Sequence, residues 1–172
     1  FNKREGKASE NAILTDRVID RPMRPLFPKD YRNDVTVENL VMSVDQDCSP
    51  ELTAMLGASV ATSISDIPFD GPISTTQVGL IDGEFVFNPT SAQRGVSELA
   101  LTVASTKEKV IMIEAGANEV PEDKMIEAIF AAHDLNQKVI AFFDTIVAEC
   151  GKPKHEYQSF AVPQELFDAI QK

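Results

Sequence analysis

Only two cysteines and two histidines occur among the 172 residues, and both scarcities narrow what the chain can do. Cys48 and Cys150 lie far apart without metal-binding spacing, which reads as reduced thiols in a cytoplasmic protein. His133 has no second His, Cys or paired acid at i+4, so it reads as a packed structural histidine. His155 falls in a stretch that reads as a linker and is expected in solvent. No apolar run approaches about 18 residues and no basic stretch leads into one, so no spanning helix, signal peptide or membrane partner is expected. Gly79, Gly83 and Gly116 make no phosphate-cradling spacing, and Ser9, Ser49 and Ser59 lack a glycine-flanked nucleophile motif. Neither an internal repeat nor a low-complexity tract is present. The chain opens on Phe1 rather than Met, which reads as a boundary inside a longer protein.

What is present is a globular composition, 43% hydrophobic and 25% charged, with a net charge of −11. That excess of acid argues against a nucleic-acid partner until its distribution is considered. Residues 1–32 hold Lys3, Arg4, Lys7, Arg17, Arg21, Arg24, Lys29 and Arg32, half of the 16 basic side chains, against only Glu5, Glu10, Asp16, Asp20 and Asp30. A polyanion is expected to dock at this end and to be repelled elsewhere.

Periodicity predicts a helix over about 9–20, with Ser9 as N-cap and Ile13, Leu14, Val18 and Ile19 as its apolar positions. Pro22 and Pro25 predict an extended segment from Arg21 to Pro25. Val35 to Val44 reads as a strand. Ser49-Pro50-Glu51 reads as a helix start, followed by the stripe Leu52, Met55, Leu56, Val60 and Ile64. Val78 and Leu80, then Asp82-Gly83, then Phe85 and Phe87 spell a hairpin. Strands fit 99–103 and 110–114, and a long helix fits about 121–149, with Glu122 and Asp123 as helix-start acids. Pro163 opens a further helix. Strands and helices mix without βαβ alternation, so the expected class is α+β with a mostly antiparallel sheet.

Arg17, Arg21 and Arg24 are spaced i, i+4, i+7, with Lys3 and Arg4 in a loop ahead of them and Phe1 available for base stacking. That set fits a single-strand binding platform. It equally fits a solvated face balanced by Glu10, Asp16 and Asp20, and spacing alone leaves both readings open.

Four stretches, in order, carry a resemblance. They are Phe1-Asn2-Lys3-Arg4-Glu5-Gly6, the run from Arg17 to Phe27, Gly57-Ala58-Ser59 through Asp66-Ile67-Pro68-Phe69 to Gly71-Pro72-Ile73, and Glu114 to Glu122. Together they resemble the bacterial polynucleotide phosphorylase family. The resemblance implies a ribonuclease-PH-like fold and a phosphorolytic 3′→5′ exoribonuclease that degrades single-stranded RNA to nucleoside diphosphates. It further implies a homotrimeric ring, with no DNA partner expected. Residues 1–151 would belong to the first core half without its leading strands, 152–162 to a linker, and 163–172 to the start of an all-helical domain. Phe1, Lys3, Arg4, Arg17, Arg21 and Arg24 would contact RNA, although Asn2 replaces an aromatic of the family's loop.

The same resemblance places the chemistry elsewhere. The family's active half binds phosphate with a Gly-Ser-Ser-Ser run, and the matching stretch here is Cys48-Ser49-Pro50-Glu51. Pro50 has no N–H to donate and Glu51 repels phosphate. The family's two aspartates and lysine match Arg94, Ala100 and Thr102. No catalytic residue and no metal ligand are therefore expected in this segment; Mg²⁺ and inorganic phosphate would be held outside it. The other open reading is a ring scaffold that never touches RNA.

Overall fold

Asp82 and Gly83 take φ of 51° and 81°, the left-handed geometry of a two-residue hairpin turn. That turn pairs Ile81 with Glu84 and so registers β1 (Ser74–Ile81) against β2 (Glu84–Phe87). β3 (Leu99–Ser105) runs antiparallel to β1, and β4 (Val110–Ala117) antiparallel to β3, giving the order β2-β1-β3-β4. The computed structural model describes residue 6 and residues 8–171.

Because side chains alternate across a strand, the sheet supplies two cores. Val78, Leu80, Leu99, Leu101 and Val103 pack with Ala128 and Ala132 of α4 (Glu122–Cys150). Ala104 and Met112 point the other way, onto Ile19 and Met23 of α1 (Glu10–Met23) and Met55 and Ala58 of α2 (Pro50–Ile64). One polar tie crosses the α4 face. Buried Asn136 accepts from Thr76 Oγ1 at 2.8 Å and donates to Val103 O and Ser105 Oγ, both at 3.1 Å. His133, half-buried beside Gln137, sits as the packed histidine expected.

The hairpin, β3, β4, α2, α4 and the helix opened by Pro163, α5 (Gln164–Gln171), stand where the sequence placed them, and the α+β class with an antiparallel sheet holds. Three expectations do not. The segment from Arg21 to Pro25 is not extended: α1 runs through Pro22 to Met23, and a 3-10 turn follows over Arg24–Leu26. A proline inside a helix costs roughly 3 kcal/mol through its missing N–H and its clash. Here it falls in the last turn, its ring and Met23 are buried, and the Arg24 N–H closes the turn on Asp20 O.

The stretch 35–44 is not a strand. A strand needs a neighbour for its backbone groups, and this stretch lies along α2, across a groove, and pairs with none of the four described strands. Leu40 and Met42 consequently stay 82% and 90% exposed. His155 is not free in solvent either, since its Nε2 lies 3.2 Å from the Tyr31 hydroxyl. One element was missed, α3 (Ser91–Val96), although Thr90 and Gln93 form a capping box whose spacing is readable in the sequence.

Candidate nucleic-acid interface

Ser9 starts α1 by accepting the Ala12 N–H at 3.1 Å. Ile19, Pro22 and Met23 then fix one side of the helix in the core, which turns Arg17 and Arg21 outward. Since the helix continues past Pro22, Arg24 stays on the Arg17–Arg21 face rather than on a separate arm. Among the described residues neither Arg17 nor Arg21 joins an ion pair. Arg21 also lies in the last turn, where a cation complements the helix dipole.

Arg24 differs. Its Nε and Nη2 grip Asp20 at 3.0 and 2.6 Å, a bidentate pair. The Asp20 hydrogen bond and charge hold the guanidinium more firmly protonated, with Asp16 adding to this. Its charge is thus largely answered within the helix. Arg17 and Arg21 are exposed, whereas Arg24 is paired with Asp20. Phe1, Lys3 and Arg4 lie outside the described residues.

At the mouth of α2, where the resemblance would put a phosphate, the chain supplies its own anion. Ser49 Oγ donates to Glu51 Oε2 at 2.6 Å and accepts the Leu52 N–H at 3.4 Å, and Pro50 occupies the first turn. Nearby, Arg94 spends its guanidinium on carbonyls, reaching Pro89 O at 2.7 Å and Gln46 O at 3.0 Å. The Ser91 N–H is taken by Asp47 Oδ1 at 3.1 Å. Ala100 and Thr102 of β3 carry no carboxylate. Among the described residues no group of three or more His, Cys, Asp or Glu gathers to hold a metal. The residues present do not fit a phosphate or a divalent ion here.

This architecture has relatives. Residues 1–68 match the 3′ exoribonuclease family, domain 1, and residues 71–134 match domain 2 of the same family. The crystal structure of rice (Oryza sativa) Rrp46 superposes with a TM-score of 0.65 over 84% of this chain and 69% of that one, at 12% identity, a likeness of fold. The chain belongs to the 3′ exoribonuclease family and has its ribonuclease-PH-like fold.

Within that family the likeness is to polyribonucleotide nucleotidyltransferases. Identity is 78% to the Lachnoclostridium phytofermentans protein and 59% to that of Ruminiclostridium cellulolyticum, each over 99% of this chain and 24% of the relative. For Clostridioides difficile it is 53% over the same shares of 99% and 24%. The chain therefore spans about a quarter of the length of the relatives it matches.

Proposed function

We propose that this chain is the RNA-capturing, non-catalytic core half of a phosphorolytic 3′→5′ exoribonuclease. The parent enzyme uses inorganic phosphate and Mg²⁺, held outside this segment, to release nucleoside diphosphates from single-stranded RNA in the cytoplasm. The observation that carries the reading is the filled mouth of α2. Phosphate needs free N–H donors and a nearby cation. Here one donor is replaced by Pro50, a carboxylate occupies the turn, and Arg94 is engaged by backbone carbonyls.

Capture rests on Arg17 and Arg21, together with Phe1, Lys3 and Arg4 of the family-like loop and a weaker contribution from Arg24. Assembly into a homotrimeric ring is supported by apolar side chains on the outer side of α4, with Phe130 and Phe142 63% and 61% exposed. Exposed apolar groups mark a contact surface where they adjoin, and Ile126, 52% exposed, lies one turn from Phe130. No helix among the described residues is long and apolar enough to cross a membrane.

The test is charge reversal of Lys3 and Arg4, alone and with Arg17→Glu and Arg21→Glu, read by single-stranded RNA binding. Progressive loss of affinity is expected. Unchanged affinity in all variants would replace capture with a purely structural role in the ring.

A further inference from the structure

Residues 152–159 contain no helix or strand, yet they are fastened to the core at several independent points. The Lys152 N–H donates to Ile64 O at 2.9 Å and the His155 N–H to Asp66 O at 2.7 Å, so the backbone follows the end of α2. Lys154 Nζ reaches Ser65 O at 2.8 Å, Ser63 O at 2.9 Å and Thr62 O at 3.3 Å. Those carbonyls form the negative end of the helix, which a lysine both satisfies and complements. Further along, Asp30 takes two hydroxyls: Tyr157 Oη donates to Oδ1 at 3.0 Å and Ser159 Oγ to Oδ2. The Tyr157 ring meets Tyr31 edge-on at 5.0 Å, and His155 Nε2 lies 3.2 Å from the Tyr31 hydroxyl.

Asp30 and Tyr31 belong to the turn that follows α1 and its 3-10 extension, where the Tyr31 N–H closes on Pro28 O at 3.0 Å. Two cations flank them. Arg32 donates to Lys29 O at 2.7 Å, and Lys29 and Arg32 are both exposed. Beyond Ser159 the fastening ends, and every described residue of α5 is exposed.

We propose that residues 152–159 act as a strap that couples the turn 28–32, and with it the C-terminal end of the arginine helix, to the chain entering α5. Asp30 is the buckle, because one carboxylate receives both hydroxyls of the strap. The division between packed body and free connection then falls near Phe160 rather than at Gly151. Coupling of this kind is reciprocal: whatever repositions α5 alters the presentation of Lys29 and Arg32, and a ligand gripping that turn steadies the strap.

Hydrogen exchange on the chain tests this without reference to RNA. In the wild type the Lys152 and His155 amides should be protected like the last turn of α2. The double variant Tyr157→Phe/Ser159→Ala alters only the strap. It should speed exchange of the Tyr31 amide by about tenfold or more, while amides of β1 and β3 are unchanged. Asp30→Ala should speed exchange at Tyr31 to the same degree as the double variant, while Lys152, held on Ile64 O, stays protected. Exchange at Tyr31 that ignores the double variant would overturn the coupling. So would free-chain exchange at Lys152 and His155 in the wild type, a readout that does not depend on any variant folding.

Discussion

Ser49 Oγ donates to Glu51 Oε2 across 2.6 Å and itself accepts the Leu52 N–H at 3.4 Å. The first turn of α2 thereby satisfies one of its own free donors and places a carboxylate where an incoming anion would have to sit. At about 4 Å and an effective dielectric of about 20, like unit charges repel by roughly 4 kcal/mol. A helix end offers an anion at most about 2 kcal/mol. Repulsion wins.

Orthophosphate should therefore leave the folded chain's stability alone. A ligand that binds the native state raises the thermal midpoint with concentration. Here the midpoint in phosphate should match that in chloride of equal ionic strength. Ser49→Ala should lower stability by about 1 kcal/mol through loss of the cap, read by denaturant melts.

The arginines of α1 and its 3-10 extension, Arg17, Arg21 and Arg24, should not be equivalent. Arg17→Ala and Arg21→Ala should each weaken single-stranded RNA binding and reduce the salt slope by about 0.7. Arg24→Ala should change both far less, because Asp20 already holds that guanidinium. With Lys3, Arg4, Arg17 and Arg21 each neutralising one phosphate, log K should fall against log salt with a slope near −3, from roughly −0.7 per contact. Equal effects from all three arginines would mean that the Asp20 pair opens on binding.

Asp30 makes a pH prediction. The Ser159 hydroxyl, then that of Tyr157, hold its carboxyl below the ordinary value of 3.8. A carboxyl whose folded value is depressed contributes stability fully above its unfolded value and loses it as pH falls through the folded one. The strap should accordingly stay fastened at neutral pH and loosen only in acid below 3.8. A carbon-detected titration should place the Asp30 midpoint below that value, and Ser159→Ala should move it back further than Tyr157→Phe.

Asn136 should be the costliest polar residue to remove. Its side chain satisfies Thr76, Val103 O and Ser105 inside the core, and Asn136→Ala leaves these buried groups without it. A loss of roughly 2–4 kcal/mol is expected in urea melts. Leu101→Ala, in the same layer, should cost a similar 2–5 kcal/mol for a different reason, the cavity it opens.

How much of this was legible depended on how local each cause is. Asp82-Gly83 announced its hairpin because only certain residues accept the left-handed turn, and Ser49-Pro50 announced α2 because capping is a short-range effect. Pro22 misled, since its cost is local while the burial of its ring that offsets the cost is tertiary. Val35 to Val44 misled for the converse reason: β-branched residues favour a strand, but among the described residues no strand pairs with them. The cations of α1 were visible as types and spacing. That Asp20 would claim Arg24 rather than Arg17 or Arg21 was not, because Asp16 and Asp20 both lie within reach of the arginines in sequence. The strap was invisible, since Asp30 and Ser159 are 129 residues apart.

The most direct test of the account is an amide map of the ¹⁵N-labelled chain, titrated with a short single-stranded RNA and separately with orthophosphate and Mg²⁺. RNA should move the signals of Arg17 and Arg21 saturably. Phosphate with Mg²⁺ should leave those of Glu51, Leu52 and Arg94 in place. Saturable movement of Glu51 and Arg94 in phosphate, with Arg17 and Arg21 indifferent to RNA, would contradict it.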